Sequence, residues 1–405
     1  MLALHPRTLL KPGSAALTLV LALLTSMGPL STDMYLPSLP AIARNFASDT
    51  GDVQLTLSVF LLGFAVGQIA YGPLSDHYGR KPVLLAGLGL FIAASFVCMA
   101  ALSVEALIAA RFLQAVGACA AVVIARAMVR DLHAAEDAAR MLSLMGALMG
   151  LVPAFAPVIG GFLEQAFGWR ASFALSGFLA LGLSGVVVFW LPETLAAARK
   201  GRWSASRMFA DFGQLTAHRS FRRYVAAVCL GYGGLFSWIS GSSFVLQGKY
   251  GLDEVEFGLS FAVAVVGYIA GTLIGARITR RLGIARTVAA GTWALAAGGL
   301  AMALLVHIQP PHVLHVLAPM VLYMAGVGLS LPQSMAGAIT PFPDRAGTAS
   351  SLLGFTQMTF AALVGIAVGH LVERNPNALA WSIAFMGAAS LALTLADRIR
   401  NRTTP

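Results

Sequence analysis

Apolar runs recur along the whole chain, and short polar clusters divide them into twelve. They cover residues 15–43, 53–75, 83–102, 106–125, 141–163, 171–191, 224–247, 257–276, 287–306, 313–334, 347–370 and 378–396. Most are near the ~20 residues that a helix needs to cross a hydrocarbon core. The fifth and tenth contain Gly and Pro, which membrane helices tolerate where neighbours re-satisfy the freed backbone. The pattern predicts an all-α membrane protein with twelve transmembrane helices.

Composition agrees. Of the 405 residues, 58% are hydrophobic and 11% charged, against about 25% charged in a soluble domain. The net charge of +10 could suggest nucleic acid, but no basic run is interleaved with aromatics. The basic residues instead alternate with topology. With the N-terminus inside, 22 of the 27 Lys and Arg fall in inner segments and four in outer loops: Arg44, Arg170, Lys249 and Arg374. That asymmetry predicts a multi-pass protein with both termini cytoplasmic. Arg7 and Lys11 precede the first run as in a signal peptide, but no clear cleavage site follows, so the run reads as an uncleaved first span. Cys98, Cys119 and Cys229 each lie in an apolar segment and fit no metal, redox or disulfide spacing.

The longest loop lies between the sixth and seventh spans and holds seven of the inner basic residues. It divides the chain into a first six-helix half, 1–195, a linker, 196–222, and a second half, 223–405. Two such halves around a central cavity are a common transporter architecture. Trp203, Met208, Phe209 and Phe212 pattern the linker as an amphipathic helix on the inner surface.

Asp33 interrupts the first run. Residues 15–30 alone would give ~24 Å of helix, short of a ~30 Å core. A helix continued to Ala43 spans ~43 Å and puts Asp33 ~16 Å from the outer end at Arg44, close to the midplane. A carboxylate there requires a wet cavity or a partner. Arg111, the one basic residue inside a predicted span, lies ~9 Å below the outer surface, within reach of Asp33 directly or through a water. Gln114 is one turn deeper on the same face. Plainer alternatives are a structural hydrogen bond for Asp33 and snorkelling to the headgroups for Arg111. The other 16 acidic residues fall in loops or at span ends, which leaves Asp33 as the carboxylate able to carry a proton through the cavity.

Two motifs lie on the inner side and in the fifth span. "GQIAYGPLSDHYGRKPVL" follows the second span, with Asp76 ahead of Arg80 and Lys81, and Gly67 and Gly72 placed for close helix approach. A solvated turn would explain the charges but not the glycines. The order Gly72, Leu74, Asp76, Gly79, Arg80, Lys81 resembles the signature loop of the major facilitator superfamily. The resemblance implies a conformational latch built on Gly72, Asp76, Gly79 and Arg80. "GALMGLVPAFAPVIGG" marks the fifth span with Gly146, Gly150, Pro153, Pro157, Gly160 and Gly161; it is either ordinary tight packing or, as it resembles, the antiporter signature of that superfamily.

"TDMYLPSLP" at 32–40, "GPLSDHYGRKP" at 72–82, "RFLQAVGA" at 111–118, "SGSSFVLQGKYG" at 240–251 and "AGTASSLLGFTQ" at 346–357 resemble the Bcr/CflA branch of drug/proton antiporters. That branch usually has Pro where this chain has Ser243. The loop between spans eight and nine, "ARITRRLGIART", lacks an Asp, which implies a basic latch in the second half. By the family pattern Leu57, Leu61, Met145 and Met149 match drug-contacting positions. Each pair shares a helix face, and Met is adaptable. Tyr35, Phe236 and Trp238 are aromatic additions, with lipid-facing or helix-packing roles as the alternatives for each.

The resemblance thus implies a proton-coupled multidrug exporter of a bacterial inner membrane, monomeric, without metal or cofactor. Its substrates would be small amphipathic drugs, phenicol- or bicyclomycin-like antibiotics or lipophilic cations. The alternatives are an exporter of an endogenous metabolite such as a sugar, amino acid or siderophore, and a membrane sensor without transport. No His, Cys or Ser constellation suits catalysis. His307, His312 and His315 cluster in an outer loop and read as solvated.

Overall fold

The computed structural model describes Leu10 and residues 14–195 and 205–403. Arg7, Lys11 and Trp203 lie outside the described residues. The described chain is helical, with no strand among these residues. Twelve helical stretches are long and apolar enough to cross a membrane. The side chains on the outside of the bundle are those lipid would contact, among them Phe155, Phe178, Trp293 and Phe385, each more than half exposed. The protein is a multi-pass membrane protein.

The first span is not one helix. It consists of α1 (Ala15–Asp33), a 3-10 turn at Leu36–Ser38 and α2 (Leu39–Phe46). Pro37 supplies no N–H and cannot sit against the carbonyl four residues back, which is that of Asp33. The expected continuous helix over 15–43 is therefore broken at Asp33. The next five spans are α3 (Thr50–Tyr78), α4 (Arg80–Met99), α5 (Val104–Leu132), α6 (Ala135–Phe167) and α7 (Arg170–Trp190). Helix α8 (Ala205–Ala217) follows and carries Met208, Phe209 and Phe212. Six more spans complete the bundle: α9 (Arg219–Gly248), α10 (Glu254–Leu282), α11 (Ile284–Leu305), α12 (Leu314–Ile339), α13 (Ala346–Arg374) and α14 (Ala378–Thr403).

Most of these helices outrun their apolar runs, because polar residues extend them past the apolar core. One consequence corrects the sequence reading. Since α5 runs to Leu132, Arg126 lies inside a span together with Arg111.

The first and second groups of helices meet along two seams, α3 against α13 and α6 against α10. The α6–α10 seam is tight at the end opposite the termini. A Cβ at Gly258 would lie 2.7 Å from the Pro157 main-chain oxygen, and one at Gly161 would strike that of Glu254. Only glycine lets these backbones touch. Two turns on, a Cβ at Gly150 would be 4.0 Å from the Tyr268 ring, and at Gly146 it would meet nothing within 4 Å. The two helices therefore part toward the end bearing the termini. The far end is further closed by Gln247, whose Nε2 donates to the Pro37 main-chain oxygen at 2.9 Å, and by Ser240, whose hydroxyl donates to Gln54 Oε1 at 3.3 Å.

Helix α8 packs on α9 and α13. Asp211 pairs with Arg345 at 3.2 Å, and Arg222 donates to the main-chain oxygens of Thr216 and Ala217, both at 2.8 Å.

Candidate functional site: a carboxylate at a helix break

Polar residues crowd the last turns of α1, and most are satisfied locally. Thr25, Ser26, Ser31 and Thr32 each donate a side-chain hydroxyl to a main-chain oxygen three or four residues back, as such residues do inside helices. Asp33 has no such outlet. It is 5% exposed, roughly 27 Å along the helix from Ala15 and roughly 20 Å from Phe46. No hydrogen bond or ion pair reaches its carboxylate from the described residues. The charge of Asp33 is felt at Tyr232 on α9, as is that of Tyr268 on α10. Both tyrosines are half-buried.

Arg111 is fully buried on α5 and turns elsewhere. Its guanidinium donates to the Ser31 main-chain oxygen at 3.2 Å and to Gln114 Oε1 at 2.7 Å. Its carbon lies 4.2 Å from the Phe60 ring centroid, 4.9 Å from that of Tyr35 and 5.7 Å from that of Phe173. Three rings and two oxygens form a cage suited to a planar delocalised cation. Gln114 passes the chain on, donating to Ser95 Oγ at 2.8 Å, and Ser95 donates to the Phe91 main-chain oxygen at 2.7 Å. The direct Asp33–Arg111 pair expected from the sequence is absent. The arginine grips the backbone two residues before the carboxylate.

Of the residues matched to drug-contacting positions, Leu57, Leu61 and Met145 are buried and Met149 is half-buried. Tyr35 is buried within the first half, where its hydroxyl lies 2.9 Å from Thr56 Oγ1 and its ring packs on Phe173. Phe236 packs where α9 meets Gly365 of α13. Trp238 stacks toward Phe261, and its indole N–H has no partner. Tyr232 and Tyr268 escaped the sequence reading. The available signal was a phenol inside an apolar span, "GYGG" and "VGYIAG", since a buried hydroxyl usually has a polar partner.

The loop between α3 and α4 is held by charges. Arg80 pairs with Asp76 at 2.6 Å and with Asp131 of α5 at 2.9 Å, and donates to Ser75 Oγ at 2.7 Å. Glu193, just past α7, accepts from the main-chain N–H of Arg80 at 3.0 Å and of Lys81 at 3.1 Å. These two N–H groups begin α4, where a carboxylate is favoured. Gly79 joins the two helices at φ 104°, a conformation natural only to glycine. Asp131 and Glu193 were missed because they lie more than fifty residues further along the chain. Gly67 does permit close approach, to Cys119 of α5, whereas a Cβ at Gly72 would meet nothing within 4 Å, so its expected packing role is corrected.

In α6, Pro153 and Pro157 lie inside an unbroken helix. Gly160 abuts the Met34 main-chain oxygen beside Asp33, while Gly161 faces α10. This glycine pair lets α6 touch both α1 and α10. In the second half the loop between α10 and α11 has Gly283 at φ 77°, and Thr279 donates to Thr287 Oγ1 at 3.1 Å across it. His307 stacks on Trp381, and His312 Nδ1 accepts from the Leu314 N–H.

Residues 21–366 match the family model described as Major Facilitator Superfamily. The chain is 28% identical to multidrug resistance protein D of Escherichia coli, over 96% of this chain and 98% of that one. It is 30% identical to a bicyclomycin resistance protein homologue of Haemophilus influenzae, over 87% and 88%. Among solved structures, a D-xylose–proton symporter superposes with a TM-score of 0.73 at 17% identity, over 93% of this chain and 96% of that one, a likeness of fold alone. The Bcr/CflA motifs and a relative named for bicyclomycin resistance agree. With the family model spanning most of the chain and the twelve-span architecture in place, the chain belongs to the major facilitator superfamily, a family of transporters.

Proposed function

We propose that the protein is a proton-coupled multidrug exporter of a bacterial inner membrane, acting as a monomer by alternating access, with both termini in the cytoplasm. Its substrates are small amphipathic drugs, phenicol- or bicyclomycin-like antibiotics and lipophilic cations. The observation that carries this reading is Asp33: a buried carboxylate at a helix break, with no hydrogen bond or ion pair from the described residues. A charge so placed is costly unless it serves a pathway. The printed names of the relatives support the drug class, and the asymmetry of basic residues supports the orientation.

Residues 1–195 and 223–405 belong to the two moving units; of the linker 196–222, α8 and the first turn of α9 move with the second unit. The far end, sealed by α6 and α10, is the outer side, and the opening faces the cytoplasm. From there Asp33 releases its proton inward and a drug enters between α1, α6, α9 and α10, beside Met149, Tyr232 and Tyr268. Leu57, Leu61, Met145, Phe236 and Trp238 are buried in this state and reach the drug only as the halves move. A cationic drug displaces the Asp33 proton directly, and a neutral one competes by filling the cavity. Arg111 positions the carboxylate through the Ser31 carbonyl. The loop at Asp76 and Arg80 latches the inner side in the opposite state.

The test is substrate-induced proton release from detergent-solubilised protein. The parent releases protons on adding drug and Asp33→Asn releases none. Undiminished release from Asp33→Asn would move the proton site elsewhere.

A further inference from the structure

The sealed end holds a second acidic group that the sequence placed beyond its span. Glu164 stands on α6 three residues past Gly161 and is half-buried; its Oε2 is enclosed and has no hydrogen-bond partner. The turn Leu36–Ser38 packs on α6. Ser38 is completely buried, and its oxygen is equally without a partner. From α10, across the seam, the Glu254 main-chain oxygen lies against Gly161, one turn before Glu164. Gln165 Nε2 donates to Glu254 Oε2 at 3.5 Å.

The other groups around this point leave the excess negative charge in place. The capping box of α10 adds Asp253 and Glu256, each occupied with the other's main-chain N–H. Helix α9 offers neutral Gln247, engaged with Pro37. Helix α2 offers one cation, the exposed Arg44. The carboxylates cannot move apart while the end is sealed, because α6 and α10 touch backbone to backbone at Gly161 and Gly258.

We infer that Glu164 is a proton-binding site of the sealed state, separate from Asp33, so that closing the outer side takes up a proton there. Protonated Glu164 carries no charge into the enclosed site and adds none beside the acidic start of α10. In the open state α6 and α10 separate and the carboxylate is hydrated. A proton bound more tightly by one state shifts the population toward that state. Acid outside therefore favours the sealed form, and alkali favours the open one. The inference rests on alternating access but not on any drug or on Asp33.

The test uses the full chain in membranes, with Ser243→Cys as reporter. Ser243 is fully buried at the seam and bonded to Gln247, so a membrane-impermeant maleimide reaches it only when the outer side opens. Its labelling rate is divided by that of Asn375→Cys, which cancels the ionisation of the thiol itself. The ratio is expected to rise several-fold from about pH 5.5 to about pH 8. In the Glu164→Gln background it should stay low and flat. Glu254→Gln, in the first turn of α10, should flatten it in the same sense and serves if Glu164→Gln fails to fold. A parent slope retained in either variant overturns the inference, as does a flat parent profile. A reporter that is never labelled at any pH overturns it together with alternating access.

Discussion

Arg111 donates to the main-chain oxygen of Ser31 at 3.2 Å, two residues before the carboxylate it would neutralise. This makes the arginine a clamp on the helix break, and charge alone does not describe it. A clamp depends on shape, so Arg111→Lys should behave like Arg111→Ala. A lysine ammonium cannot lie flat among Tyr35, Phe60 and Phe173 as the planar guanidinium does. Both variants should be destabilised, with about 1–3 kcal/mol from the orphaned Gln114 oxygen alone. Thermal unfolding in detergent reads this. Full rescue by lysine would restore a role for simple charge.

Asp33→Asn should fold as well as the parent or better, because it removes a buried charge that has no partner. Drug binding should persist, more for neutral compounds than for cations, while proton-driven efflux is lost. Equilibrium drug binding and transport into inverted vesicles, measured on the same preparation, separate the two effects.

The Asp76–Arg80 pair has one exposed member, with the Asp76 side chain 54% accessible, and such pairs contribute about 0–1 kcal/mol. Asp76→Asn should leave stability nearly unchanged while lowering transport across a substrate panel. Arg80→Ala should cost more, because it also removes the bonds to Asp131 and Ser75. Equal losses of stability in the two variants would contradict this ordering.

Gly258→Leu should wedge the α6–α10 seam. Even its Cβ would lie 2.7 Å from the Pro157 oxygen and 2.8 Å from Val158 Cα, so the sealed end cannot close over it. The variant should expose Ser243→Cys to maleimide at every pH. Labelling no faster than the parent would mean that the seam yields without opening.

Asn375→Cys and Asp253→Cys should react with an impermeant maleimide added outside intact cells, and a reporter fused after Pro405 should signal only in the cytoplasm. Labelling of Arg202→Cys from outside would reverse the orientation.

Much of the fold was legible because apolar runs record membrane depth directly. They do not record where a helix ends: α10 continues past residue 276 through Arg277, Arg280 and Arg281 to Leu282, since these side chains cost nothing in water. The break at Asp33 needed the offset from Pro37 to be weighed against the length argument, which favoured a continuous helix. Rise per residue gave the heights of Asp33 and Arg111 well enough, but height leaves direction around the helix open, and the two side chains point apart. Tyr232, Asp131, Glu193 and the meeting of Gly161 with Glu254 are products of tertiary packing between distant segments. No local pattern marked them as partners.

The anchoring of α8 has a consequence for the chain as a polymer. Arg345 and Arg222 bind α8 to the second group of helices, so the covalent link that matters is the segment ahead of Ala205. Its contribution is to hold two bodies at high effective concentration, and the α3–α13 and α6–α10 seams should do the same once both are in one bilayer. A gene split near residue 200, with the two fragments produced together, should therefore reassemble into a working protein. A split between α8 and α9 should not, because it would leave α8 attached to the wrong fragment.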